Sequence, residues 1–406
     1  MFGIRNRTRV LVAFAVITAL SLSGCGGPST PTDPSSSAPV STGSTPALPT
    51  SPITLNVIDG GNLVSIIKQP LEMFVAAHPE WVKEITYSTA TAPEMLAKIQ
   101  AQIKANKPQY NIILCGYGDL SPAVTMGLLQ SMDDWKTALP DYKAIYKPAA
   151  YSMFDQLDYH ATILMMSPTG PLLEYDPART PNPPKTADEL LAWAKANPGK
   201  FTYARPENSG PGRVFLQGLP YLLKDSDPKD PVNGWDKTWA YLEELNQYID
   251  HYPASTSVAF KELTTGDVDL IASTAGWDTN TRVTGTIPNT YKTLFMDGAN
   301  WVTDGNGIAM PIGLSEGEQA VIIELMKWLV TPEMQAWNYD NGFHYPGPAV
   351  DNVPESLAPQ EIQDVMNKFA NRDYDVWFTQ ATIQIPLAAA DLTTAYDMWS
   401  RLVGNK

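Results

Sequence analysis

Four short groups of residues in this chain have the types and spacing to hold a small molecule. Asp59 and Asn62 flank a Gly60-Gly61 pair, and Tyr117 and Asp119 follow the apolar string Asn111-Ile112-Ile113-Leu114-Cys115. Ser209 and Gly210 precede a helix-like stretch that carries Arg213 in its first turn; a hydroxyl, free N–H groups and a guanidinium there would suit a carboxylate, a phosphate or a sugar hydroxyl. Trp277 and Asp278 follow an apolar strand, Trp301 and Thr303 open another, and an aromatic face beside a carboxylate would suit an ammonium group. Each group also has a reading without a ligand. Asp59-Gly60-Gly61-Asn62 reads equally as turn chemistry with Asn62 capping the next helix, and Asp119 as a cap. Arg213 could pair with a local acid, and each tryptophan could be core.

One catalytic pattern is present. Gly313-Leu314-Ser315-Glu316-Gly317 is a G-x-S-x-G between a strand-like and a helix-like segment, the setting of a nucleophile elbow. A serine hydrolase built on Ser315 would need a base after it, and only His344 follows, with Asp340 close by. That leaves little chain for intervening strands, while Ser315 and Glu318 alone make a capping box. The four histidines, His78, His160, His251 and His344, have no metal-ligand spacing, so neither a metal nor a cofactor is expected.

The N-terminus states a location. Arg5, Arg7 and Arg9 precede an apolar run over 10–22, and small residues lead to Cys25. A run of about 13 residues fits an export signal and falls short of the roughly 20 a spanning helix needs. Leu22-Ser23-Gly24-Cys25 resembles the bacterial lipoprotein signal, which implies cleavage after residue 24 and lipidation of Cys25. Residues 25–52 are rich in Pro, Ser and Thr, too poor in apolar groups to fold, and read as a tether. With Cys25 lipidated, Cys115 has no disulfide partner and its apolar company places it at a buried strand end.

These candidates need a scaffold, and the remaining chain of about 350 residues exceeds what one core usually organises, so two lobes are expected. From Ile53 onward, short β-type runs alternate with helical ones, which implies βαβ units and a largely parallel sheet. Ligands in such sheets sit past the carboxyl ends of strands, the positions of Asp59, Asn62, Tyr117 and Asp119. Thr186 and Glu189 box the start of one helix; Trp239, Leu242, Leu245 and Ile249 form the apolar face of another. Leu392, Ala395, Tyr396, Trp399, Leu402 and Val403 stripe a last one. The chain carries 28 basic and 43 acidic residues, a balance of −15, and losing the signal arginines takes it to −18. Nucleic acid wants the opposite sign.

The order of several motifs resembles the extracellular solute-binding proteins of bacterial ABC importers, nearest the polyamine- and iron-type branch. They are Gly170-Pro171-Leu172-Leu173-Glu174-Tyr175, then Pro184-Lys185-Thr186-Ala187-Asp188-Glu189-Leu190, the segment FKELTTGDVDLIAS, and a return strand and helix ending in HYPGP. The resemblance implies a bilobed, periplasmic-binding-protein-like (type II) α/β fold, with residues 53–167 and about 303–345 in lobe I, and 168–302 and about 346–406 in lobe II. It implies hinges near 168–171 and 302–307, no catalysis, and closure on a solute that is passed to permease subunits. Polyamine-binding relatives place an aspartate two residues after the tryptophan matched by Trp301; this chain has Thr303 there. That weakens a polyamine and leaves polyols, zwitterions and phosphonate-like solutes. Iron-binding relatives use adjacent tyrosines, and this chain has no such pair. A sensor lipoprotein serving only protein partners is the remaining alternative.

Overall fold

The computed structural model describes residues 45–405. The signal, Cys25 and the tether up to residue 44 lie outside the described residues. Pro49, near the tether's end, lies against Gly317 at the start of the helix Glu316–Leu329. Among the described residues no helix is long and apolar enough to cross a membrane.

Among the described residues, eleven strands form two sheets: β1 (Ile53–Asp59), β2 (Val82–Thr89), β3 (Ile112–Gly116), β4 (Ala161–Gly170), β5 (Leu172–Tyr175), β6 (Phe201–Thr202), β7 (Leu270–Ser273), β8 (Lys292–Leu294), β9 (Trp301–Ala309), β10 (Gly347–Pro348) and β11 (Ile383–Gln384). The first sheet runs β10-β4-β9-β3-β1-β2 with β11 beside β9; the second runs β6-β7-β5-β8. Each sheet has its own apolar core, as two lobes require.

The sheets are more mixed than the alternating pattern predicts. β1, β2 and β3 are parallel to one another, whereas β9 is antiparallel to both β3 and β4. The cause is topological: a chain that leaves the first lobe along β4 and comes back through the same waist must run the other way beside it. The β4–β9 ladder extends from Ala161↔Ala309 to Gly170↔Val302, and every residue of the two strands is buried except Asp304. β5 begins the second sheet two residues after β4 ends.

The C-terminal part differs from the expected partition. Tyr345, Ala349, Val350, Val353, Ile362, Met366 and Tyr374 pack into the first core, held there because β10 pairs with β4 at Gly347↔Met166. The chain joins the second core only from Leu387, through the helix Ala389–Leu402. Residues 375–387 therefore make a third connection between lobes. In that last helix Leu392, Ala395 and Trp399 are buried as the stripe predicts, while Leu402 is exposed. Cys115 is fully buried in β3, and burial pushes its thiol well up.

The candidate solute cleft

A cavity of about 260 Å³ lies between the two sheets. Its size is below the 300–1,000 Å³ common for drug-sized ligands, so it fits a small solute. Four helix starts open onto it. Gly116 and Gly118 begin the helix Tyr117–Thr125; Gly210 begins Gly210–Leu222; Thr256 begins Thr256–Thr265; Thr274 and Gly276 begin Ala275–Val283. The first N–H groups of a helix have no partner inside it, and they gather partial positive charge.

Strand alternation supplies the floor. Ser167 and Thr169 of β4 and Asp304 and Asn306 of β9 all line the cavity, two residues apart on each strand, with Ser167 opposite Asp304. Gly61, Asn208, Phe343 and His344 complete the lining.

Of the candidates read from the sequence, Asp119, Gly210, Arg213 and Trp277 line this cavity. The carboxylate of Asp119 has no hydrogen-bond or ion-pair partner among the described residues, so it is not a cap. Burial pushes its pKa up from 3.8 to about 6, an effect reduced by Arg213 and increased by Asp304. Arg213 Nη2 donates to Asp304 Oδ2 at 2.6 Å, the local acid that the sequence left unspecified. That pairing holds the guanidinium firmly charged. The Trp277 ring stacks on Phe260 and meets Phe343 edge-on, each with centroids 5.7 Å apart.

The other candidates are built into the walls. Asp59 is buried and its carboxylate accepts from the N–H groups of Gly61, Leu63 and Val64 at 2.9, 3.1 and 2.8 Å, so it organises a turn. Asn62 is exposed with a left-handed φ of 59° and bonds Ser65. Tyr117 is buried and its hydroxyl donates to Gln156. Ser209 caps its helix by accepting from Gly212 N–H at 3.2 Å and bonds Thr256 at 2.8 Å. Asp278 is fully buried, paired with Arg282, and accepts from the Tyr374 hydroxyl at 2.6 Å. Trp301 is core: it stacks on Phe295 at 4.3 Å and donates to the Trp377 carbonyl at 3.0 Å. Thr303 donates to the Gln384 carbonyl at 3.1 Å. The acid sought two residues after Trp301 stands three residues after it, as Asp304.

Sequence reading missed Ser167, Thr169, Asn208, Thr256, Thr274, Asp304, Asn306, Phe343 and His344. A signal existed for four of them: Ser167-x-Thr169 and Asp304-x-Asn306 repeat polar residues at period two within their strands. His344 had none, since it arrives from a loop. Asn306 Nδ2 donates to His344 Nε2 at 2.5 Å, and burial lowers the histidine's pKa from 6.5 to about 4, so the ring is neutral near pH 7.

Ser315 lies away from the cleft. Its hydroxyl donates to Glu318 Oε2 at 2.7 Å and accepts from Glu318 N–H at 3.4 Å, a capping box for the helix Glu316–Leu329. No histidine touches it among the described residues, and His344 is bonded in the cleft, so the hydrolase arrangement is not formed.

A family model described as bacterial extracellular solute-binding protein matches residues 71–368. Protein YnjB of Escherichia coli (strain K12) is 27% identical over 199 residues, 46% of this chain; the chain covers 48% of that relative's length. The fold is shared with the solved structure of an ABC transporter from Clostridium perfringens, at 14% identity and a TM-score of 0.65 over 86% of this chain and 98% of that one. It is also shared with the periplasmic binding protein AfuA from Actinobacillus pleuropneumoniae, with fructose-6-phosphate bound, at 15% identity and 0.57 over 87% and 99%. A two-lobed architecture, a polar cleft between the lobes and a family match running through both place this chain among the bacterial extracellular solute-binding proteins, to which it belongs.

Proposed function

We propose that this protein captures a small polar solute in the cleft between its lobes and hands it to the permease of an ABC transporter, while lipidated Cys25 and the tether keep it at the outer face of the cell membrane. The observation that carries the reading is the convergence on one cavity of helix starts from both lobes, with Arg213 and Asp304 paired across it. Backbone N–H groups aimed at a closed space bind a polar solute by replacing its water. A thermal-shift screen of the full-length protein against amino acids, polyamines, polyols, sugar phosphates and phosphonates tests it. A ligand at 100 times its Kd should stabilise by about 2.7 kcal/mol. A melting temperature unmoved by every class overturns solute capture in favour of a lipoprotein that serves protein partners. Membrane attachment is tested separately: Cys25→Ala should move the protein from the membrane to the soluble fraction.

A further inference from the structure

The two walls of the cleft offer opposite halves of a hydrogen bond. On the side of the first sheet, Gly116 has no side chain, and the space that a Cβ would occupy is ringed by oxygens: Asn306 Oδ1 at 3.2 Å, Asp119 Oδ2 at 3.6 Å and the Gly305 carbonyl at 3.9 Å. Asp119 Oδ2 and Asn306 Oδ1 have no hydrogen-bond partner among the described residues, although Asn306 is only 6% exposed. An ammonium group standing off this bare face of Gly116 would meet three acceptors, one of them a carboxylate oxygen, for its three donors.

The side of the second sheet presents donors. Gly210 and Gly276 stand at the first and second positions of their helices, where N–H groups have no acceptor in the helix. The Trp277 indole N–H has no acceptor among the described residues, and its Nε1 lies 3.9 Å from where Gly210 would carry a Cβ, so donors of two helices are neighbours. The Thr274 hydroxyl oxygen already accepts from Trp277 N–H at 3.3 Å, which leaves its own hydrogen to donate. These groups match the oxygens of a carboxylate or phosphonate.

We propose, building on the solute-capture reading above, that the solute is a small zwitterion, with its ammonium group among Asp119, Asn306 and the Gly305 carbonyl over Gly116 and its anionic group on Gly210, Gly276, Trp277 and Thr274. A polyamine leaves the donor wall without acceptors. A dianionic phosphate ester meets the unpartnered carboxylate of Asp119. Buried polar groups left unpaired make either substitution costly.

Calorimetric titration of the full-length protein tests this. The probes are the standard L-amino acids, β-alanine, γ-aminobutyrate and 2-aminoethylphosphonate, each beside the matching acid without its amine and the amine without its acid, with spermidine, sorbitol and fructose-6-phosphate alongside. At least one zwitterion should bind, and both of its half-molecules should bind at least tenfold more weakly. Gly116→Ala places a methyl group in the oxygen cradle at an extended backbone position that accepts alanine. This variant and Asp119→Asn should each weaken the zwitterion at least tenfold without weakening the amine-free acid. A zwitterion unmoved by both variants, or an acid binding as tightly as its zwitterion, overturns the proposal. Binding of spermidine, sorbitol or fructose-6-phosphate with no zwitterion binding also overturns it, yet leaves solute capture standing. Binding by nothing in the set, with no thermal shift, sinks both. An aminophosphonate that outbinds the amino acids assigns the anionic end to a phosphonate.

Discussion

Arg213 Nη2 and Asp304 Oδ2 stand 2.6 Å apart, joining a helix of the second lobe to strand β9 of the first sheet along the cleft. Both side chains are mostly shielded, so the pair sits between the exposed and buried regimes of ion-pair energetics. Arg213→Gln should cost roughly 1–3 kcal/mol of stability, because it leaves Asp304 and Asp119 facing each other without a cation. Asp304→Asn added to that variant should recover part of the loss. A urea-denaturation cycle of the two single variants and the double variant checks it; strict additivity would show that the pair contributes nothing.

Gly276 is held by close approach. A Cβ there would meet the Phe343 carbonyl oxygen at 1.9 Å and its carbon at 2.7 Å, both backbone atoms that cannot swing aside. Gly276→Ala should displace the loop that carries Phe343 and His344, lower stability by about 1–3 kcal/mol and weaken any cleft ligand. Unchanged affinity and melting temperature would contradict this packing.

Acidity acts on two cleft groups with opposite signs. Asp119 has a folded pKa of about 6, above its ordinary value, so the folded state binds the extra proton and gains stability as pH falls from about 6 toward 4. Asp119→Asn should therefore be more stable than the parent at pH 7, by at most about 3 kcal/mol, with the difference gone near pH 4. His344 has a folded pKa of about 4, below its ordinary value, so its contribution is full above pH 6.5 and is lost as pH falls toward 4. His344→Gln should flatten the acid decline that Asp119→Asn steepens. Asp304 faces both groups and Arg213 faces Asp119, and stability curves of the two variants across pH 4–8 separate the two effects.

Behind the second wall lies a buried network. Asp278 bonds Arg282 and accepts from Tyr374, while Glu174 Oε2 accepts from Ser273 Oγ at 2.5 Å. Burial first, and then Asp278, push Glu174 well above the usual carboxylate range. Asp278→Ala should destabilise by about 3–5 kcal/mol through the stranded Arg282. Tyr374→Phe should cost about 1–2 kcal/mol. Asp278→Ala melting with the parent would show that Asp278 is not the structural residue its contacts describe.

Ser315→Ala removes a cap and nothing in the cleft. It should cost about 0.5–2 kcal/mol and leave ligand affinity unchanged. Titration and melting together check it, and a loss of binding would tie Ser315 to a site its position excludes.

Much of the scaffold was legible because it rests on local rules. Alternating runs announced α/β lobes, and the Ser315 box and the Thr186 cap marked two helix starts, although Glu189 accepts from Lys185 N–H and does not close a box on Thr186; Trp239, Leu242 and Leu245 showed a buried face by their spacing. The cleft was legible in part: strand-end reasoning reached Asp119, and helix-start reasoning reached Gly210, Arg213 and Trp277. It also chose Asp59, Asp278 and Trp301, which have the same residue types but turn inward, because a carboxylate that caps a turn and one that faces a solute look alike in one dimension.

By itself the sequence determined the two-lobed α/β character, the helix starts and their caps, since these rest on length and on residues within a turn or two. Only the tertiary structure decided which starts face one another, that Arg213 pairs with Asp304, that residues 345–374 stay on the first core, and that Asn306 and Asp119 meet over Gly116. Those contacts join residues up to about 190 positions apart, and nothing local encodes them. They follow from β9 lying antiparallel beside β4, which brings the floor of the cleft together, and from β10 pairing with β4, which holds residues 345–374 on the first core.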